Sequence, residues 1–334
     1  MSAERELTMS EALNEALTLE MARDPRVFVM GEDIAAIGGL FQVTAGLLDL
    51  FGPGRVIDAP ISEAGQAGAA VGAALVGSRP VLELQIADFV TLTMDQVANH
   101  AAKWRYMSGG KVMVPFVLRG PVSSGIGMAG QHSQTLEAWF VHTPGLVVIM
   151  PSTPADAKGL LTSAIRDDNP VVFLEKRLLY SRRGVVPAGE YTVPIGVADI
   201  KRAGTDVTVA CYAQGVHLAL QAGRQLAERG IELEVVDLRT LKPLDMETLG
   251  ASIRKTGRLV VVSEGARAGG FASEVVARVI DEVYDALRAA PVRVTAKDTP
   301  IPYAAQLERA VLPQVDDVVA AVDSVLEPAA GRSA

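Results

Sequence analysis

Along the first half of the chain, short apolar runs alternate with longer stretches whose apolar residues recur at helical spacing. The runs Val27–Met30, Val56–Asp58, Val81–Gln85, Val114–Leu118, Leu146–Met150 and Val171–Leu174 are rich in β-branched residues and predict strands. The intervals at about 43–51, 64–77, 90–107, 134–141 and 154–166 predict helices. Thr8-Met9-Ser10-Glu11 has the form of a capping box, and Leu13, Ala16, Leu17, Leu19 and Met21 continue an apolar face behind it. Thr153-Pro154-Ala155-Asp156 supplies a cap, a proline at the first helical position and an acid in the first turn.

A turn-rich stretch, Ser181 to Gly196, carries Pro187 and Pro194 and breaks the pattern. The alternation then resumes, with strands expected at Asp206–Tyr212, Leu233–Leu238, Leu259–Val262 and Val292–Ala296. Helices are expected at about 215–229, 245–256, 271–288 and 315–326, and Pro328 to Ala334 reads as a frayed tail. Strand-helix alternation implies right-handed crossovers and parallel pairing. The fold class is therefore α/β with two parallel-sheet domains, 1–190 and 191–334.

Composition supports that division: 334 residues fill two domains at about 150 residues each. The chain is 49% hydrophobic but only 5% aromatic, a balance of small and β-branched residues suited to buried strands under close-packed helices. A net charge of −8 argues against nucleic acid or anionic lipid as partners. One cysteine, Cys211, excludes an internal disulfide framework and a thiolate zinc cage, and four histidines leave little for a His-rich metal site. Met1 to Glu6 shows no secretory pattern, and the apolar run Ala67 to Gly77 is too short to cross a bilayer, so a cytoplasmic protein is expected.

Ligands of parallel sheets bind beyond the carboxyl ends of strands, so the strand-to-helix turns are the places to search. In Asp58-Ala59-Pro60-Ile61-Ser62-Glu63-Ala64-Gly65, Ser62 reads as a helix cap and Glu63 as an acid at the helix's positive end. The alternative is a carboxylate held for proton chemistry. Gly125-Ile126-Gly127-Met128-Ala129-Gly130 matches the dinucleotide spacing G-x-G-x-x-G but lies several residues past its strand, and a flexible glycine loop is the better reading. His132, just after that loop, is either a surface histidine or the rim of an active site. Ala164-Ile165-Arg166-Asp167-Asp168-Asn169-Pro170 reads as helix-end turn chemistry or as oxygen donors for a hard cation.

Further motifs extend the pattern. They include Gly31-Glu32-Asp33, Gly38-Gly39-Leu40-Phe41, Pro60-Ile61-Ser62-Glu63, Glu83-Leu84-Gln85-Ile86-Ala87-Asp88-Phe89 and Ala102-Lys103-Trp104-Arg105-Tyr106-Met107-Ser108-Gly109-Gly110. Arg119-Gly120-Pro121, His132-Ser133-Gln134, Pro151-Ser152-Thr153-Pro154, Asp237-Leu238-Arg239-Thr240-Leu241 and Pro243-Leu244-Asp245 follow in order. Over about residues 7 to 326 the chain resembles the β subunits of the thiamine-diphosphate-dependent 2-oxo acid dehydrogenases, a family that includes the pyruvate, branched-chain and acetoin enzymes.

The resemblance implies a pyrimidine-type thiamine-diphosphate-binding domain followed by a transketolase C-terminal-like domain. It implies that Glu63 hydrogen-bonds a ring nitrogen of the cofactor's aminopyrimidine and promotes its imino tautomer, so that the thiazolium carbon can lose its proton and attack the 2-oxo group. Phe89 matches the position that lies against the aminopyrimidine, and Gln85 falls near it. His132 matches the family histidine linked to intermediate stabilisation or acyl transfer onto lipoamide. Phe116, Ala164, Ile165, Asp167 and Asn169 match positions that hold a structural potassium ion, three of them through backbone carbonyls. No Gly-Asp-Gly segment is present, which places the diphosphate and its magnesium on an α subunit, in a heterotetramer of two α and two β chains served by a lipoyl acyltransferase. Ala59 replaces the family's usual Thr and Ile86 a common Phe, so pyruvate does not carry over as the substrate. Other readings are a two-carbon transferase that loads a carrier protein, a silent β-type scaffold, and a nicotinamide oxidoreductase resting on the glycine motif alone.

Overall fold

The computed structural model describes residues 5–327, so the expected tail 328–334 and the chain start lie outside the described residues. Two compact units emerge: the chain up to Ser123 with Trp139–Ile195, and Ser124–Ala138 with Gly196 onwards. The main division falls at 195/196, where 190/191 was expected. The excursion of Ser124–Ala138 into the second unit has no counterpart in the apolar pattern. A loop follows whatever satisfies its polar groups, not a period.

In chain order the first unit carries β1 (Arg5–Thr8), α1 (Met9–Arg23), β2 (Val27–Gly31), α2 (Leu47–Phe51), β3 (Val56–Asp58), α3 (Glu63–Leu75) and β4 (Arg79–Glu83). It continues with α4 (Ala102–Met107), β5 (Val117–Val122), most of α5 (Glu137–His142), β6 (Val147–Ile149), α6 (Pro154–Arg166), β7 (Val171–Lys176) and β8 (Arg183–Val186). Strands run in the order β6-β7-β5-β4-β2-β3, and every one of these pairings is parallel. β1 and β8 form an antiparallel ribbon that the sequence pattern does not foretell, because both strands are short and largely exposed.

Met9, Leu13, Leu17 and Met21 of α1 pack with Leu160, Leu161 and Ile165 of α6 over Val27, Val29, Val81 and Phe173. Each such side chain contributes about 1.5–3 kcal/mol when fully buried. The capping box forms, with Glu11 N donating to Thr8 Oγ1 (3.2 Å) and Thr8 N to Glu11 Oε2 (2.7 Å). Leu19 of the expected face is only half-buried, while Glu20 is buried and accepts from Arg166 Nε (3.0 Å) and Nη2 (2.6 Å).

The single helix expected at 90–107 is instead a 3₁₀ turn (Ala87–Leu92), a π-helical turn (Asp95–Ala101) and α4. Buried Thr93 causes the break: its N (2.9 Å) and Oγ1 (3.0 Å) both donate to the Val90 carbonyl and close the first turn. Likewise α2 starts at Leu47 rather than 43, behind left-handed Gly46 (φ 78°).

The second unit holds β9 (Asp199–Arg202), β10 (Val207–Cys211), α7 (Gln214–Ala227), β11 (Leu233–Asp237), β12 (Thr240–Lys242) and α8 (Met246–Thr256). Then come β13 (Leu259–Ala266), α9 (Phe271–Val283), β14 (Val292–Ala296), α10 (Ala305–Val311) and α11 (Val315–Leu326). Its sheet runs β14-β13-β10-β11-β9, parallel except for β9, which adds antiparallel at the edge. The four strands expected from sequence are the four parallel ones. β9, β12 and α10 are too short and polar for periodicity to mark.

In the first unit's sheet, Arg119 on β5 is 2% exposed and lies between two buried carboxylates. Its Nε donates to Glu175 Oε1 (2.8 Å), Nη2 to Glu175 Oε2 (2.5 Å), and Nη1 to Glu83; the Tyr180 hydroxyl also donates to Glu175. Burial works against the guanidinium's charge, but Glu175 and Glu83 more than offset it. Burial, reinforced by Glu175 and opposed by Arg119, pushes the Glu83 carboxyl above its ordinary range. Removing the shared cation strands both acids, so Arg119→Met is expected to cost about 3–5 kcal/mol. Denaturant unfolding checks this, and a variant as stable as the native chain would show that the network contributes nothing.

Candidate active site

β2 has β3 on one side and β4 on the other, so the crossovers diverge there and leave a crevice beyond the carboxyl ends. Glu32 and Asp33 follow β2, Asp58 ends β3, and Glu83 and Gln85 mark the end of β4. Close approach at this point requires Gly31, where a Cβ would lie 2.7 Å from the Glu83 carbonyl oxygen. The Asp58 carboxylate accepts from the amides of Ala35 (2.7 Å) and Ala36 (3.3 Å), folding that loop back over the strands. Gln85 Nε2 donates to Asp33 Oδ2 (3.1 Å).

Glu63 is the first residue of α3 and is 8% exposed. Among the described residues its carboxylate accepts no hydrogen bond and forms no ion pair. Ser62 does not cap the helix as expected; its Oγ turns instead to 2.8 Å from where a Gly65 Cβ would stand. One turn on, Gln66 Nε2 donates to Glu32 Oε1 (2.9 Å) and to the Pro60 carbonyl (2.9 Å), and its Oε1 is buried without a partner. Burial raises the Glu32 carboxyl above its ordinary range; Gln66 opposes that, and the charges of Glu63 and Asp33 add to it. A carboxylate at a helix amino end with a buried, unsatisfied amide oxygen beside it is an acceptor set that a donor can fill. A protonated or N–H-bearing heteroaromatic ring supplies such donors. Phe89 is half-buried on the 3₁₀ turn that packs against α3, so Glu63, Gln85 and Phe89 all belong to this end of the sheet.

His132 belongs to the other unit. The glycine motif before it does not open a helix, and its amides are taken: Gly125 N donates to Glu308 Oε1 (2.7 Å) and Gly127 N to Glu308 Oε2 (2.9 Å). A buried carboxylate therefore bonds two amides of the loop, and those amides are not available to a pyrophosphate. His132 is half-buried, with its N donating to the Ala129 carbonyl (3.3 Å). A cavity of about 420 Å³ lies beside it, lined by Gly130, Ser133, Thr135, Glu264, Lys297 and Ile301. The hydroxyls of Ser133 and Thr135 are buried without partners. At the far end of the segment, buried Glu137 accepts from the Tyr212 hydroxyl (2.7 Å), which also meets Ser263 Oγ (2.7 Å). Burial first, then the Glu137 charge, raise the Tyr212 hydroxyl well above its ordinary range. Glu32, Gln66, Glu137 and Glu308 were not singled out from sequence as site residues; only Glu32 stood in a noted motif, and no local spacing marks the other three.

The candidate cation residues gather at the carboxyl end of α6. The Ile165 and Asp167 carbonyls each accept from Arg79 Nη1 (3.0 Å), the Ala164 carbonyl from Asp167 N (3.3 Å), and the Phe116 carbonyl from Val171 N (2.8 Å). Asn169 N and Nδ2 both donate to Asp167 Oδ1 (2.7 Å), and Arg105 donates to Asn169 Oδ1. Arg79 thus already places a positive charge on this helix end, and a further cation would use the carbonyls' remaining lone pairs. Among the described residues no group of three or more His, Cys, Asp or Glu is placed to hold a metal ion, and no helix is long and apolar enough to cross a membrane.

Residues 5–182 match the transketolase pyrimidine binding domain and residues 196–318 the transketolase C-terminal domain. The chain is 47% identical over 324 residues to the mitochondrial pyruvate dehydrogenase E1 component subunit beta-2 of Oryza sativa subsp. japonica, covering 96% of this chain and 86% of that protein. It is also 47% identical over 320 residues to the pyruvate dehydrogenase E1 component subunit beta of Rickettsia conorii, covering 96% and 98%. Among solved structures it is similar in fold to a split-gene transketolase described as an inactive beta4 tetramer, with TM-score 0.77, 24% identity and coverage of 96% and 98%.

Proposed function

This chain belongs to the family of E1 β subunits of thiamine-diphosphate-dependent 2-oxo acid dehydrogenases, and from that premise we propose that, with an α-type subunit, it decarboxylates a 2-oxo acid and passes the acyl group to the lipoamide of an acyltransferase. The observation that carries this reading is Glu63, a carboxylate 8% exposed at the amino end of α3 with no donor among the described residues. The cofactor, when bound, supplies the electron sink for loss of carbon dioxide. Glu63 would hydrogen-bond a ring nitrogen of the aminopyrimidine and exchange a proton with it there. Phe89 offers the flat apolar face for the ring, and Gln85 is oriented beside it by Asp33. His132 is assigned to transfer onto lipoamide.

The diphosphate and its magnesium belong, in this reading, to the α subunit, within an assembly of two α and two β chains. The exposed residues Ala64, Gly65, Ala69 and Gly72 of α3 give a surface on which another chain can pack closely. A potassium ion at Phe116, Ala164, Ile165, Asp167 and Asn169 would share the α6 carbonyls with Arg79.

The test is co-expression with an α-type chain and a panel of 2-oxo acids and acetoin, read with a dye acceptor. Glu63→Gln is expected to lower the dye-linked rate by about 10²-fold or more with assembly and melting unchanged. Near-normal turnover in that variant would remove Glu63 from the chemistry. For His132→Ala the loss should be larger with a lipoyl domain than with dye, and equal losses would move His132 to the decarboxylation step. Replacing potassium by tetramethylammonium should lower the melting temperature of the complex; no change would mean that no potassium is bound.

A further inference from the structure

We propose that Glu308 is a positioning residue for His132, an inference that rests on the function proposed above. Glu308 lies on α10, is 4% exposed, and uses both carboxylate oxygens on the glycine segment, accepting from Gly125 N (2.7 Å) and Gly127 N (2.9 Å). Amides that converge in this way form an anion-binding concavity, and here the chain fills it with its own side chain. Gly125 (φ 91°) and Gly127 (φ 76°) sit in left-handed backbone, which turns both N–H groups to one side at no steric cost. Ala129 (φ 62°) takes a left-handed conformation despite its Cβ, a local strain that only a fixed surrounding sustains.

The same stretch of chain forms the rest of the bed. A Cβ on Gly127 would stand 3.8 Å from the Tyr303 carbonyl oxygen, and one on Gly130 would stand 3.6 Å from both the Ile301 carbonyl oxygen and Pro300 Cβ. The backbone then closes on His132 through its N–H to the Ala129 carbonyl (3.3 Å). Residues 300–308 therefore line the path of the segment that leads into His132, and the Glu308 side chain is bonded to it at two points. Loss of the carboxylate leaves two inward-facing amides without acceptors and frees the approach to the imidazole.

Glu308→Gln separates this role from packing. The amide has the same shape, but it keeps one acceptor and sets an N–H₂ group against a glycine N–H. If Glu308 merely filled space, Gln would be neutral; as a two-point acceptor it should fail nearly as badly as Ala. In the assembled α/β complex, hydrogen exchange at Gly125 and Gly127 is expected to quicken by about tenfold or more in both variants. Turnover with a lipoyl-domain acceptor should fall by about tenfold or more, with KM for the 2-oxo acid within about threefold and the complex still assembled. Native-like exchange at those amides in Glu308→Gln, or native turnover with the lipoyl domain, overturns the proposal. A native complex that passes no acyl group to lipoyl domain would instead sink the proposed function, and the exchange measurement would still decide whether Glu308 holds the segment.

Discussion

A single buried guanidinium, Arg119 on the central strand β5, ties together the strands of the first unit that border the candidate site. It holds the carboxylates of Glu83 on β4 and Glu175 on β7, so three adjacent strands end in fixed register. The chain leaving β4 carries Gln85 and Phe89, and the chain leaving β7 returns Tyr180, whose hydroxyl reaches Glu175. The loop after β2 packs against the Glu83 carboxylate, since a Cβ on left-handed Gly39 would lie 3.0 Å from Glu83 Oε1. Charges removed from water tolerate few alternative arrangements, because each displaced partner leaves an uncompensated ion. That intolerance fixes the ends of β4, β5 and β7 beside the crevice.

Several buried carboxylates differ in what they bond. Glu83, Glu175, Glu137 and Glu308 each accept hydrogen bonds within their own unit, and each holds a strand end or a loop in place. Glu63 is buried to a similar degree at a helix amino end and has no donor among the described residues. Glu32, beside it, is raised by burial and by the charge of Glu63 itself. The glycine motif is distinct from a nucleotide loop, since Glu308 occupies the amides that a pyrophosphate would need.

Much of this was legible in the sequence where periodicity or cap chemistry acts over a few residues. The helix at Pro154–Arg166, the capping box at Thr8 and the four parallel strands of the second unit follow from local rules. The stretch 90–107 did not, because Thr93 spends both its N–H and its hydroxyl on Val90 and overrides a pattern that reads as one helix. Ser62 failed as a cap for a similar reason: its residue type fits, but its Oγ turns over Gly65 instead. Glu63, Phe89 and His132 stand in motifs that the sequence offers as candidates, while Gln66 and Glu308 come into view only through their partners in the fold.

What the sequence determined by itself was the main strand-helix alternation, the α/β class and the family. Those rest on local propensity and on motifs, both written in neighbouring positions. Only the tertiary structure decided that Ser124–Ala138 leaves the first unit for the second, that Glu63 is buried without a donor, and that Arg79 lies on the carbonyls of α6. Each of these depends on which polar groups meet across long stretches of chain, where a group excluded from water must bond to whatever the fold places beside it. Residues 183 positions apart, as Gly125 and Glu308 are, carry no mutual signal until the fold brings them into contact.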